Sequence, residues 1–250
     1  MKKLIAFDLD GTLAPSKSPL PDEMAEQLSI LLTHKQVCVI SGGKFEQFEL
    51  QLINNLQASN KELEKLHIMP TCGTRYHKYN PTNKDWKIQY SEDIPTKDKG
   101  RIIQAIESSA KHLNYWEANT WGDIIEDRGS QITFSALGQS APVDAKKKWD
   151  PTGDKKTKLR DAIAEIIPDF EVRAGGETSI DITKPGVDKA YGMRKLMAEL
   201  DIDKDQILFI GDRLQPGGND YPVKEMGIDI IEVSDWHGTK LIIEGINLVS

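Results

Sequence analysis

The sequence predicts an α/β fold, a mainly parallel core sheet interrupted by an inserted α+β domain. Three observations carry that expectation. Short apolar runs alternate with amphipathic helical patterns near both ends of the 250-residue chain. The middle holds longer, more polar alternating segments joined by turns. Polar residues stand just beyond several apolar runs, which is where open α/β sheets gather their ligands.

The elements follow in order. Leu4 to Phe7 is a buried strand running into Asp8-Leu9-Asp10-Gly11-Thr12. A Pro/Ser/Lys loop from Ala14 to Pro21 follows, and Asp22 caps a helix with the stripe Met24, Leu28, Leu31 and Leu32. Gln36 to Ile40 is a second strand, ending in Ser41-Gly42-Gly43; Phe45, Phe48, Leu52 and Leu56 mark the next helix. His67-Ile68-Met69 is a third strand. From about Trp86 to Thr183 the pattern changes. Glu117 to Ile125 and Gln131 to Leu137 read as one hairpin, and Phe170 to Val172 with Ser179 to Ile182 as another, turning at Gly175-Gly176. Helices with the stripes Ile102/Ile103/Ile106/Ala110/Leu113 and Leu159/Ile163/Ile166 intervene. After Lys184-Pro185-Gly186 the parallel grammar returns. A helix carries Met193, Leu196, Met197 and Leu200, strands span Gln206 to Ile210 and Ile228 to Val233, and a last helix carries Leu241, Ile242 and Ile246. The expected division is a core of residues 1–80 and 186–250 around an insertion of residues 81–185, with hinges near Tyr79-Asn80-Pro81 and Thr183 to Gly186.

Composition narrows the function classes. Thirty-two Lys and Arg against 39 Asp and Glu give a formal charge of −7, which argues against nucleic acid or an anionic membrane as partner. The clusters Lys146-Lys147-Lys148 and Lys155, Lys156, Lys158 read as solvated faces. Two cysteines are too few for a disulfide framework, and Cys38, inside an apolar run, is expected to be reduced and buried. Only four apolar residues follow Met1-Lys2-Lys3 before acid appears, so no signal peptide is expected. A cytoplasmic enzyme, monomeric or homodimeric, fits these features.

The candidate chemistry sits at the strand ends. Asp8 would stand at the first strand's tip, and Asp10 would share its face if the strand continued. Such close carboxylates repel unless a cation or a proton lies between them, and Mg²⁺ suits an all-oxygen donor set. Alone, Asp-x-Asp-Gly fits a plain turn as well. A calcium loop counted from Asp8 would need Gly and Glu where Leu13 and Pro19 stand. Ser41-Gly42-Gly43, Gly211-Asp212 and Lys189 can converge with these carboxylates on one side of a parallel sheet. Together they supply what phosphoryl transfer needs: a carboxylate nucleophile, metal ligands, hydroxyl and backbone N–H donors, and a cation. Ser41 has an alternative as a helix cap, and Lys189 as an ordinary helix lysine. Trp116, Trp121 and Trp149 are expected to pack the inserted domain, and His67 and His77 show no ligand spacing.

Asp8-Leu9-Asp10-Gly11-Thr12, Ser41, Lys189 and Gly211-Asp212, in that chain order, resemble the four motifs of the haloacid dehalogenase superfamily, in the branch with a large α+β cap after the third strand. Gly211 to Asp220, Arg128-Gly129 with Ser135 to Ser140, and Gly175 to Asp181 are similar to segments of eukaryotic-type phosphomannomutases. The resemblance implies a Rossmann-like core with an inserted α+β cap. It implies that Asp8 takes the phosphoryl group and that Asp10 protonates the leaving alcohol, then activates water. Mg²⁺ would be held by the Asp8 carboxylate, the Asp10 backbone carbonyl and Asp212, and phosphate by Ser41, Gly42 and Lys189. Asn219 and Asp220 would bind metal or orient Lys189. A small phosphorylated sugar would meet Lys17, Arg128, Gln139, Lys146, Ser179 and Asp181.

The chain departs from the mutase pattern at three places where arginines are expected, which hold Lys17, Gln139 and Lys146. Lysine lacks the bidentate fork and glutamine lacks charge, so the grip on a distal phosphate is weakened. A phosphatase is therefore favoured over a hexose-phosphate mutase. A non-catalytic sugar-phosphate sensor is disfavoured by the intact Asp8, Asp10 and Asp212.

Overall fold

The computed structural model describes residues 2–249 and contains two compact units, Met1–Ser91 with Asp188–Ser250, and Glu92–Val187. In the first, strands β1 (Leu4–Phe7), β2 (Gln36–Ile40), β3 (Leu66–Met69), β4 (Arg75–Asn80), β5 (Asp85–Ser91), β10 (Ile207–Gly211) and β11 (Asp229–Glu232) form one sheet. Its order is β11-β10-β1-β2-β3-β4-β5. β11 through β3 are mutually parallel, while β4 and β5 add an antiparallel edge.

The two-residue period of a strand explains both faces of this sheet. Ile5 and Phe7 point to one side with Val37, Val39, Ile68 and Ile210. There they meet Met24, Leu28 and Leu31 of α1 (Asp22–His34), Phe48 of α2 (Phe45–Gln51) and Ile243 of α9 (Trp236–Val249). Leu4 and Ala6 point to the other side with Cys38, Ile40, Met69 and Phe209. They pack on Met193 and Leu196 of α7 (Lys189–Leu200) and Val223 of α8 (Tyr221–Glu225). A sheet covered on both faces needs continuously apolar strands, as β1 is and as β2 is from Val37 to Ile40. A short helix α3 (Asn60–Leu63), closed by a Ser59/Glu62 capping box, leads into β3.

The second unit is a four-stranded antiparallel sheet, order β6-β7-β9-β8: β6 (Ile125–Asp127), β7 (Gln131–Ser135), β8 (Glu171–Ala174) and β9 (Ser179–Thr183). Ile132, Phe134, Ile180 and Ile182 form one face. They are buried against Ile102, Ile106 and Ala110 of α4 (Thr96–His112) and Leu159 and Ile163 of α6 (Asp154–Ile166). Gln131, Thr133, Ser135, Ser179, Asp181 and Thr183 alternate with them on the opposite, polar face. Helix α5 (Val143–Trp149) completes the unit.

Several expectations change. The expected boundary after Asn80 falls inside the β4–β5 hairpin, whose backbone bonds belong to the first sheet, so the division comes at Ser91. Residues 117–124 form no strand; the first hairpin is confined to β6 and β7. Asp22 lies inside the first turn of α1, with Pro21 as its N-cap. Trp116 and Trp149 pack on the second unit's core, whereas Trp121 is 48% exposed, as is Ile166 at 53%. Lys146 is buried, unlike its exposed neighbours Lys147 and Lys148.

Candidate active site

Strand pairing assembles the site in the first unit. β1 and β10 are adjacent with Phe7 level with Ile210, so Asp8 and Asp212 leave neighbouring strand ends on the same edge. The Asp8 amide donates to the Ile210 carbonyl at 3.1 Å. Gly11, at φ +86°, then turns the chain away. A Cβ there would lie 2.6 Å from Asp212 Oδ2, so glycine is needed both for the turn and for the close approach.

Lys189 opens α7, whose N-cap Asp188 accepts a hydrogen bond from the Tyr191 amide at 2.7 Å. Its side chain is fully buried. Nζ lies 2.6 Å from Asp8 Oδ1 and 2.5 Å from Asp220 Oδ1. Asp220 Oδ2 accepts from the Arg213 amide at 3.1 Å, so both of its oxygens are engaged. Asp8, Asp212 and Asp220 each offer a carboxylate oxygen within 4.8 Å of the others.

Three carboxylates, two buried and one partly buried, against one ammonium leave two negative charges in excess when all are ionised, which is costly without a counter-ion. The electrostatics express that imbalance. Burial raises the Asp8 carboxyl, Lys189 pulls it down, and Asp220 and Asp212 push it up again, for a net value of about 7. Burial, followed by Asp220, also raises Asp212, with Arg213 at 3.9 Å only a weak offset. Burial opposes the Lys189 charge, but Asp220 and Asp8 outweigh it and hold the ammonium above its ordinary range. Asp212 Oδ1 is buried without a hydrogen-bond partner. An orphaned carboxylate oxygen, oxygen-only donors and two surplus negative charges fit a hard divalent cation.

Asp10 is placed differently from the sequence expectation. β1 ends at Phe7, and the turn at Gly11 directs the Asp10 side chain toward α2. Asp10 Oδ2 accepts from Gln47 Nε2 at 2.9 Å. Oδ1 accepts from Gln51 Nε2 at 3.1 Å and from the Lys17 amide at 2.6 Å. The Lys17 side chain itself is exposed. Ser41, just past β2, does not cap α2, whose N-cap is Lys44; its Oγ accepts from the Gly43 amide at 3.3 Å. Asn219 is exposed beside the buried Asp220.

In the second unit, Asp181 Oδ1 accepts from Gln131 Nε2 at 2.9 Å and Thr133 Oγ1 at 2.8 Å. Ser179 shares its strand face, opposite Ser135. Lys146 Nζ donates to the Gln139 carbonyl at 3.2 Å, joining two of the expected substrate residues. Arg128 Nε pairs with Glu126 Oε2 at 2.8 Å.

Gln47, Gln51, Gln131 and Thr133 were not among the sequence candidates. A signal for the first two existed. They stand four residues apart, and Gln51 is a buried polar residue between the apolar Phe48 and Leu52. Gln131 and Thr133 alternate with Ile132 and Phe134, but alternation shows only that a face is polar, not which residue it holds.

A family model described as haloacid dehalogenase-like hydrolase matches residues 5–223. The phosphomannomutase of Encephalitozoon cuniculi is 25% identical over 231 residues, covering 89% of this chain and 84% of that protein. Human phosphomannomutase 1 is 25% identical over 232 residues, covering 88% and 82%. Among solved structures, a haloacid dehalogenase-like hydrolase from Bacteroides thetaiotaomicron superposes with a TM-score of 0.67 at 17% identity, covering 98% of this chain and all of that one. An IMP-bound IMP-nucleotidase mutant from Plasmodium falciparum gives 0.70 at 18% identity, covering 100% and 67%. With the family model spanning most of its length, the chain belongs to the haloacid dehalogenase-like hydrolases.

Proposed function

We propose that this chain is a Mg²⁺-dependent phosphatase of small phosphorylated sugars that works through an aspartyl phosphate on Asp8. The observation that carries the reading is the cluster of buried Asp8, Lys189 and Asp220 with partly buried Asp212, two negative charges in excess when all are ionised and with one carboxylate oxygen unpartnered. Asp8 and Asp212, with the Asp10 backbone carbonyl, would hold the cation. A bound Mg²⁺ supplies charge compensation between the carboxylates and an incoming phosphate. Asp220 orients Lys189, since its oxygens already serve Nζ and the Arg213 amide.

In the proposed cycle an Asp8 oxygen bonds to phosphorus as the bond to the sugar oxygen breaks, and Asp10 protonates that oxygen. Asp10, now a carboxylate, takes a proton from water, and the resulting hydroxide attacks the phosphorus of the acyl phosphate. Asp8 leaves as a carboxylate, and inorganic phosphate departs. Lys189 and the Ser41 hydroxyl face the phosphoryl oxygens through both steps. In the second unit, Ser179, Asp181, Arg128, Gln139 and Lys146 supply groups suited to sugar hydroxyls and to an anion.

A second reading is a hexose-phosphate mutase, favoured by the name phosphomannomutase on relatives that align along most of this chain. A mutase must hold a second phosphate while the intermediate turns over. Gln139 is neutral, and Lys17 and Lys146 are point charges without a fork. A panel of sugar monophosphates with Mg²⁺, followed for both free phosphate and isomerised sugar, tests the two readings together. Release of phosphate without a bisphosphate activator is expected. Interconversion of hexose 1- and 6-phosphates faster than hydrolysis would establish the mutase instead. Gln139→Arg should tighten a hexose bisphosphate by about 1–3 kcal/mol, the range for a charge-assisted hydrogen bond, and leave a monophosphate little changed.

A further inference from the structure

The segment after β3 has a backbone that its residues do not favour. Thr71, Cys72 and Gly73 follow one another at φ +48°, +56° and +82°. L residues disfavour this left-handed region, and β-branched threonine does so strongly. Such conformations persist where the surroundings over-determine them, and they cluster at functional sites.

Two sets of contacts over-determine this one. On one side, the Thr71 amide donates to the Gly43 carbonyl and the Cys72 amide to the Ser41 carbonyl, each at 2.9 Å. Consecutive N–H groups thus hold both ends of the Ser41-Gly42-Gly43 loop. On the other side, the segment packs backbone to backbone on α7. A Cβ at Gly73 would lie 2.3 Å from Gly192 Cα, and one at Gly192 would lie 2.6 Å from the Cys72 carbonyl oxygen. Gly192 is one turn along from Lys189, and its amide bonds to the Asp188 carbonyl at 3.2 Å. Inside the segment, buried Thr74 Oγ1 donates to the Thr71 carbonyl at 2.8 Å and accepts from Thr71 Oγ1 at 2.6 Å.

We infer that Thr71 to Thr74 is a positioning clamp. It sets the loop that carries Ser41 and the helix start that carries Lys189 at a fixed distance, so that both reach one phosphoryl group. The inference rests on the proposed roles of Ser41 and Lys189. The residues of the clamp need not touch substrate; they act through the two elements they join. The left-handed run is what lets successive amides face the Ser41 loop while the carbonyl of Cys72 faces α7.

The test uses Thr74→Val, Thr74→Ser and Gly192→Ala in the full chain, with hydrogen–deuterium exchange and phosphate-release kinetics measured on each. Thr74→Val removes both internal bonds, Thr74→Ser keeps them, and Gly192→Ala pushes on the Cys72 carbonyl. Exchange should rise about tenfold or more at residues 41–44 and 188–193 together in Thr74→Val and Gly192→Ala, and stay at the wild-type level in Thr74→Ser. The kcat should fall about ten- to a hundredfold in the first two, with KM little changed. Unaltered exchange at either segment in folded Thr74→Val and Gly192→Ala overturns the clamp. A purely structural role would lower thermal stability and leave kcat at the wild-type level below the transition, and that result also overturns it. Ser41→Ala separates the two levels of inference. If exchange rises and kcat falls in Thr74→Val and Gly192→Ala while Ser41→Ala leaves turnover unchanged, the clamp stands through Lys189 and the proposed role of Ser41 fails.

Discussion

In the proposed cycle Asp8 must be an anion to attack phosphorus, yet it sits where burial and two neighbouring carboxylates favour its proton. Lys189 offsets part of that, and a divalent cation would offset the rest. Asp8→Asn keeps the shape and removes the proposed nucleophile, so turnover should fall at least about a thousandfold with the circular dichroism spectrum unchanged. Retained activity in the folded variant would exclude covalent catalysis at this residue. Asp10 depends on its donors in another way. Gln47 and Gln51 hold its two oxygens from one helix face, and replacing Gln51 with leucine leaves Asp10 Oδ1 with the Lys17 amide alone among these bonds. A loss of about ten- to a hundredfold in kcat is expected, below the full contribution of the proposed general acid–base. Steady-state kinetics on Gln51→Leu checks this, and an unchanged kcat would show that Asp10 needs no orientation from α2.

Elements place these residues through their ends. Lys189 is the first residue of α7, so the geometry of that terminus decides where its ammonium lies. Asp188→Ala removes the cap at Tyr191 and should cost about 1 kcal/mol in urea unfolding, with a larger fractional loss in kcat than a surface substitution elsewhere on α7. The first sheet offers a pH test. His67 on β3 is fully buried between Gln36 Oε1 at 2.8 Å and the Tyr76 hydroxyl at 2.7 Å. Burial, with a further push from Lys78, lowers its pKa to about 3; burial and Arg75 lower that of His77, stacked on Phe45 at 3.9 Å, to about 4. Both imidazoles are neutral when folded and titrate near 6.5 when unfolded. A depressed folded pKa means the contribution is fully present above 6.5 and lost as pH falls through 4 toward 3. Each group steepens that loss by up to about 1.4 kcal/mol per pH unit. Urea unfolding between pH 7 and 4 should show the decline, and His67→Gln should flatten it. An identical slope in the variant would rule His67 out as its source.

For the whole molecule the charge imbalance becomes a matter of stability. A cation that binds only the folded core stabilises it by mass action, about 2.7 kcal/mol at a hundred times its Kd. Calorimetry should therefore show Mg²⁺ raising the unfolding temperature of the first unit by several degrees, with chelator reversing the shift. Asp212→Asn should remove most of the response. A Tm indifferent to Mg²⁺ in the wild-type chain would count against the metal assignment even if the fold is as described. No helix among the described residues is long and apolar enough to cross a membrane.

The sequence by itself determined the parts that depend on local pattern. Apolar runs too short for helices and apolar on both faces specify β1, β2, β3 and β10 as strands of a covered sheet. Because parallel strands share one C-terminal edge, Asp8, Ser41 and Asp212 were legible as neighbours despite their separation along the chain. The Gly175-Gly176 hairpin was legible from alternation and turn chemistry alone, as its β8–β9 pairing shows. Only the tertiary structure decided which donors meet which acceptors. Nothing in Asp10 announces Gln47 and Gln51, because the helix phase of α2 against the β1 tip is set by Phe48 and Leu52 packing, not by the motif. Nothing in Asp220 shows that Lys189 and the Arg213 amide would occupy its oxygens. The polar β4–β5 hairpin joined the first sheet because backbone hydrogen bonding to β3 does not depend on side-chain polarity. The left-handed run at Thr71 and Cys72 opposes local preference altogether, so only the contacts that hold it from both sides could specify it.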